Sequence, residues 1–197
     1  MTDFKAEIGI ICALDVELAG IKNMMADISE EKISGVTFIC GTLEGKKAVA
    51  AECGVGKVFA ALCAQTMILR FGVSAILNTG VAGTLTDELS VGDIAVAADV
   101  VEHDMDTSPL GDPPGLISGL NLVHMPADGA LRAAVTAALD ACGGKYRTGT
   151  IASGDVFVAD AARKAAIRER FGAIACEMEG AAVGQVCTVN RVPFAVI

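Results

Sequence analysis

Short apolar runs that alternate with helix-period patterns constrain this chain more than any other feature. Glu7-Ile-Gly-Ile-Ile-Cys-Ala13 is the first such run, unbroken and short, fit for a strand buried on both faces. Directly after it Leu14, Leu18, Ile21, Met25 and Ile28 recur at steps of four and three, which predicts one apolar stripe on a helix. Residues 36–43 and 47–53 are β-rich and joined by Leu43-Glu-Gly-Lys46, a hairpin signature, so antiparallel strands mix with parallel ones. The alternation then resumes with a helix from the Gly54 turn to Arg70 and strands at 74–78 and 93–101. It continues with helix 128–141, strand 147–153, helix 160–171, strand 173–177, helix 179–190 and an apolar strand at 193–197. The predicted fold class is α/β, a three-layer αβα sandwich whose central sheet is mixed. The 197 residues suit one domain, and no linker, internal repeat or low-complexity segment divides them.

Charge and composition exclude several classes of partner. A net charge of −9, without clustered Lys and Arg, argues against a nucleic-acid surface and points to a small molecule. The charge-free stretch Val58 to Leu69 is too short for a bilayer and is closed by Lys57 and Arg70, so no membrane span is expected. The N-terminus carries both signs of charge and Asp15 stops its apolar run, which is not the layout of a signal peptide; a cytoplasmic protein is expected. Seven cysteines without a Cys-x-x-Cys pair and two histidines give no metal-site pattern, so neither metal nor cofactor is expected. The cysteines, set among Ile, Ala and Val, read as small buried hydrophobes.

In an open α/β sheet the ligand gathers outside the carboxyl ends of the strands, so the residues after each predicted strand carry the chemistry. Four places qualify: Leu14 to Glu17, Asn78 to Gly83, Ser153 to Val158, and Cys176 to Glu179. Gly54-Val-Gly-Lys57 resembles a phosphate loop only superficially, because Ala51 and Val58 occupy its decisive positions; it reads as a structural turn. Gly80 and Gly83 would let a ligand approach backbone amides. Glu177 and Glu179 lie in an apolar context where a carboxylate is costly unless bonded, which marks them as functional candidates. Periodicity cannot show whether they act together at this strand-to-helix junction. Glu17 alone reads as an ordinary solvated helix residue, and His103 as a hydrogen-bonded structural one.

Taken in order, these segments resemble the methylthioadenosine and S-adenosylhomocysteine nucleosidases of the nucleoside phosphorylase superfamily. The likeness rests on Ile8-Gly-Ile-Ile-Cys-Ala-Leu-Asp-Val-Glu17, Cys53-Gly-Val-Gly-Lys57, Asn78-Thr-Gly-Val-Ala-Gly83, Val91-Gly-Asp93, Ser153-Gly-Asp-Val-Phe157 and Glu177-Met-Glu179, at the expected separations. It implies hydrolysis of the N-ribosidic bond of 5′-substituted adenosines, with Glu17 as the base that activates water and Glu179 accepting the ribose hydroxyls. Met178 would pack beneath the sugar, Phe157 would stack on adenine, and the backbone of Val158 would read the base edge. Ala82 and Gly83 would line the pocket, Leu14 and Val55 would be apolar neighbours of the sugar and its 5′ substituent, and Glu177 would join the binding set. At position 81, where many relatives carry a small hydroxyl residue, this chain has Val81.

The resemblance also implies a continuation past Ile197 into an Arg-Ala-Ile-Ser-Asp segment whose Asp protonates the leaving adenine, followed by a last helix. Residues 1–197 are thus expected to be one nucleosidase domain lacking that segment. The resemblance further implies a homodimer, with the loop around 103–111 near the neighbour's pocket. Two other readings stay open: a phosphate-dependent phosphorylase, disfavoured because Asn78 stands where such enzymes hold an Arg and no Arg lies between 71 and 131, and a non-catalytic nucleoside-binding protein.

Overall fold

The computed structural model describes residues 4–197; the first three residues of the charged N-terminal stretch lie outside it. The chain opens with strand β1 (Ile8–Cys12), helix α1 (Asp15–Met24) and an antiparallel meander of β2 (Ala26–Ile33), β3 (Val36–Leu43) and β4 (Lys46–Glu52). Helix α2 (Lys57–Thr66) follows and closes in a π-helical turn over Met67–Phe71, leading to β5 (Ala75–Asn78), the short β6 (Gly83–Thr84) and the long β7 (Ile94–Glu102). After an irregular stretch come β8 (Met125–Pro126), α3 (Gly129–Cys142), β9 (Tyr146–Ser153), α4 (Ala161–Phe171), β10 (Ala173–Glu177), α5 (Gly180–Asn190) and β11 (Phe194–Val196).

The mixed sheet is divided in two. One part runs β11-β5-β1-β4-β3-β2 and the other β6-β10-β9-β7-β8. In the first, β1 is parallel to both β4 and β5, and β5 to β11; in the second, β9 is parallel to β7 and β10. Alternation along the strands sorts side chains to two faces. Ile10 and Cys12 of β1 pack with Leu18 of α1, whereas Ile11 faces the larger core that takes Ala60 and Ala64 of α2 and Ala181 to Val183 of α5. In the second part, Val101, Ala152 and Cys176 pack with Ile167 and Phe171 of α4, while Val100, Ile151 and Ala175 turn to the same core as α5. Helices therefore cover both faces, and the strands are as apolar as two-sided burial requires.

One expectation fails locally. The apolar stripe predicts one helix running through Met25 and Ile28, but α1 ends at Met24 and Ile28 lies on β2. Asp27 has φ +53°, and the β2–β3 register slips between Ala26 and Ser29. A helical spacing thus continues by coincidence across a break: Met25 is buried and Ile28 largely exposed on an edge strand whose outward residues are Glu and Lys. Helices α3 and α4 carry their own start and stop signals. Asp128 and Asp160 cap α3 and α4 by accepting backbone amides, and Gly143 and Gly172 end them in the left-handed region. Six of the seven cysteines are buried and Cys142 is exposed. Among the described residues no helix is long and apolar enough to cross a membrane, and no cluster of His, Cys, Asp and Glu could hold a metal ion.

Candidate functional site

The carboxyl ends of β1, β5 and β10 open onto one cavity of about 680 Å³. Its wall holds Glu17, the loop from Asn78 to Gly83, Glu177, Glu179 and the end of β11, Val196 and Ile197. Three of the four strand-end segments expected to carry chemistry are therefore brought together. The fourth contributes indirectly: Ser153 is fully buried at the end of β9, and its hydroxyl donates to Glu177 Oε1 while accepting the amide of Ala181.

Glu17 sits in the first turn of α1, but it is no ordinary solvated helix residue. Its Oε2 accepts the amides of Ala13 and Leu14 at 2.9 and 3.0 Å, and its Oε1 accepts the amide of Val81 at 3.0 Å. The first two bonds satisfy orphan donors at the helix start. The third ties the carboxylate to the Gly-rich loop and uses only the backbone of residue 81, so the valine side chain, exposed to solvent, leaves that bond intact. Gly80 is required for another reason: a Cβ there would lie 2.9 Å from Glu17 Oε1.

Glu177 ends β10 and Glu179 immediately precedes α5. Glu177 Oε2 accepts the amides of Glu179 and Gly180 at 2.8 and 2.7 Å, so this carboxylate caps the helix and fixes the backbone of its neighbour. Burial pushes the Glu177 carboxyl up, against the bonds from Ser153, Gly180 and Glu179 that pull it down. Glu179, only 7% exposed, accepts the amide of Gly56 through Oε1 at 2.6 Å. Burial raises its carboxyl to about 7; the Gly56 amide opposes the rise, and the charges of Glu177 and Glu17 add to it. The two residues are joined, the Glu177 carboxylate holding the backbone amide of Glu179, a relation that spacing alone leaves open.

The remaining expected residues do not line this cavity, although Leu14 and Met178 adjoin residues that do. Leu14 and Val55 are exposed apolar side chains, and Met178 is partly buried. Phe157, 84% exposed, and Val158 lie on the loop between β9 and α4. His103 has its Nε2 buried with no partner, and burial lowers its pKa against a bond to its own backbone that opposes the fall. Read as a bare motif the Gly54–Lys57 turn is structural, and only the resemblance gives Val55 a role there; the structure adds that its Gly56 supplies the amide that Glu179 accepts. Its signal was the pair of glycines at the end of β4, which adopt φ +88° and +103°.

Residues 7–197 match the Phosphorylase superfamily. The chain is 38% identical over 192 residues to a 5′-methylthioadenosine/S-adenosylhomocysteine nucleosidase of Shewanella sp. (strain MR-7), covering 97% of this chain and 81% of that one. The chain belongs to the 5′-methylthioadenosine/S-adenosylhomocysteine nucleosidase family. A crystal structure of a mutant Helicobacter pylori nucleosidase of this family, with 5′-methylthioadenosine in its active site, superposes with a TM-score of 0.93 at 35% identity over 98% of this chain and 84% of that one. The native futalosine hydrolase of Helicobacter pylori strain 26695 superposes with a TM-score of 0.92, also at 35% identity, over 96% of this chain and 81% of that one. The nucleosidase fold and its carboxylate-lined cavity therefore accompany each other here.

Proposed function

We propose that this nucleosidase hydrolyses the bond between adenine and the ribose of 5′-methylthioadenosine, S-adenosylhomocysteine or related 5′-substituted adenosines. The observation that carries the reading is that Glu17 and Glu179 share one cavity, each held by backbone amides and neither paired with a cation among the described residues. Glu17 takes a proton from water as the water oxygen bonds to carbon 1′ of the sugar. The bond to adenine N9 breaks with its electron pair leaving on the base, while positive charge builds on the ribose ring. Glu179 accepts the ribose hydroxyls, and with Glu17 and Glu177 makes the cavity a favourable place for that charge.

Phe157 and Val158 are assigned to the adenine, Phe157 by closing over it from its exposed loop, and Met178, Leu14 and Val55 to the sugar and its substituent. The proton that adenine needs is assigned, on the family resemblance, to an Asp in a segment following Ile197, which would leave from the cavity wall beside Val196. Phosphate as nucleophile is disfavoured by Glu17, whose charge would repel it, and by Asn78, whose side-chain amide is occupied with the carbonyl of Ile11.

We also propose that the protein works as a homodimer. Val58, Phe59 and Leu62 of α2 and Val189 of α5 are each more than half exposed and flank a groove of about 490 Å³ between the two helices. Loop 103–111 would then reach the neighbour's pocket. The test of function is adenine release from a panel of 5′-substituted adenosines by the full gene product, with and without phosphate. Release independent of phosphate supports the reading; release only with phosphate, or none with any substrate, overturns it. Light scattering of the eluting protein tests the dimer.

A further inference from the structure

Gly56 donates its amide to Glu179, and the next residue is held from the opposite side. The Lys57 amide donates to Asp155 Oδ1 at 2.8 Å, and a Cβ on Gly56 would stand 3.0 Å from that same oxygen. Lys57 Nζ bridges Glu102 Oε2 at 2.9 Å and Asp104 Oδ1 at 2.7 Å. Asp104 Oδ2 in turn accepts the amide of Asp155 at 2.8 Å, which closes a ring of bonds joining the start of α2 to the ends of β7 and β9. Glu102 is 4% exposed, so its charge needs this partner. Lys57, Glu102, Asp104 and Asp155 do not line the cavity that holds Glu17 and Glu179.

We propose that Lys57 is a positioning residue for Glu179, its bridge to Glu102 and Asp104 fixing the turn that aims the Gly56 amide at the Glu179 carboxylate. This rests on the reading of Glu179 as the acceptor of ribose hydroxyls. Two glycines with φ near +90° and above would otherwise give the turn many conformations, only some of which direct that amide into the cavity. The ionic ring removes that freedom before substrate arrives. The groups facing Glu179 besides Gly56 are Glu177, Glu17 and Cys53, none of them cationic, so loosening the Gly56 bond leaves its negative form less supported.

Lys57→Met alone would strand a buried carboxylate, so the test pairs it with Glu102→Gln, beside Lys57→Arg as the conservative variant. Steady-state kinetics on 5′-methylthioadenosine, the acid limb of kcat/KM and hydrogen exchange of the amides in 54–57 are measured on the full gene product. The double variant is expected to raise KM about tenfold, the worth of one hydrogen bond to a charged group, with a smaller change in kcat. Its acid limb moves to higher pH, Gly56 exchanges faster, and Lys57→Arg returns all three towards wild type. Unchanged KM, acid limb and exchange in a folded double variant would overturn the proposal. If wild type itself releases no adenine, the functional reading fails, and the Gly56 exchange rate still decides whether Lys57 holds the turn.

Discussion

Two sets of acidic residues flank the start of α2 and are held in opposite ways. Glu17, Glu177 and Glu179 are bound by backbone amides and one hydroxyl, with no ion pair among the described residues. Glu102 and Asp104 are bound by the ammonium of Lys57. The protonation consequences diverge. For Asp104, burial would raise the carboxyl, but the bonds from Lys57 and from the Asp155 amide outweigh it and hold it below its ordinary value. For Glu179, burial wins and the carboxyl is pushed up to about 7. Amides orient a carboxylate without cancelling its charge, so it stays able to take a proton or face a developing cation; an ammonium locks the group into a scaffold.

The comparison breaks first at Glu17. Glu17→Gln keeps the size and acceptor oxygen of the side chain but removes the base, so turnover should fall by about 10²–10⁴-fold, the usual worth of general-base catalysis. The melting temperature should fall only modestly, because the amide oxygen still serves the helix start while the Val81 amide loses its acceptor. Turnover and melting are to be measured on the same preparation; near-normal turnover would end the assignment.

Glu179→Ala comes next. Loss of a charged acceptor that strengthens as the ring becomes cationic should raise KM and lower kcat together, with kcat/KM down on the order of 10²-fold. A 2′-deoxy or 3′-deoxy substrate should then lose little more. Continued strong discrimination against the deoxy sugars by the variant would show that the hydroxyls bind elsewhere.

A smaller, more pointed test is Gly80→Ala. The added Cβ would meet both oxygens of the Glu17 carboxylate, at 2.9 and 3.1 Å, so either the Gly-rich loop or Glu17 must shift by a few tenths of an ångström. A displaced base costs activity without costing much stability, and kcat is expected to fall about tenfold with KM nearly constant. If kcat is unaffected, the tight seat of Glu17 against the loop is not what sets its reactivity.

These residues also show how far the sequence was legible. The strand ends could be found from the rhythm of apolar runs, and with them Glu17, Asn78 to Gly83 and the Glu177–Glu179 pair, because an α/β sheet delivers its ligands there whatever its details. Hidden in the sequence were bonds between distant segments. Gly56 and Glu179 are 123 residues apart, and Lys57 and Glu102 are 45 apart. Periodicity reports which side of an element faces the core, not which backbone amide meets which carboxylate across it. The failure at β2 has the same origin: its place is set by pairing with β3, while its own residues, largely exposed and charged, carry little strand preference.

The last test concerns pH, where stability and activity should move in opposite directions. The Glu179 carboxyl is raised from 4.5 to about 7 in the folded protein, so between these values the folded chain retains a proton that the unfolded chain has released. The contribution of this group to stability is fully present below pH 4.5 and is lost as pH rises through about 7. Activity runs the other way, since only the deprotonated carboxylate accepts ribose hydroxyls, and kcat/KM should climb across the same range. In Glu179→Gln the titrating proton is gone and that part of the pH dependence with it. The melting temperature of wild type minus that of the variant should therefore decline from pH 4.5 to pH 7 by on the order of 10 °C, since a shift of this size is worth about 3 kcal/mol and each kcal/mol moves a domain of this size by roughly 2–4 °C. Parallel melting curves for the two proteins over that window would mean that Glu179 is not raised, and that its amide bond to Gly56 outweighs its burial as the Lys57 bridge does for Asp104.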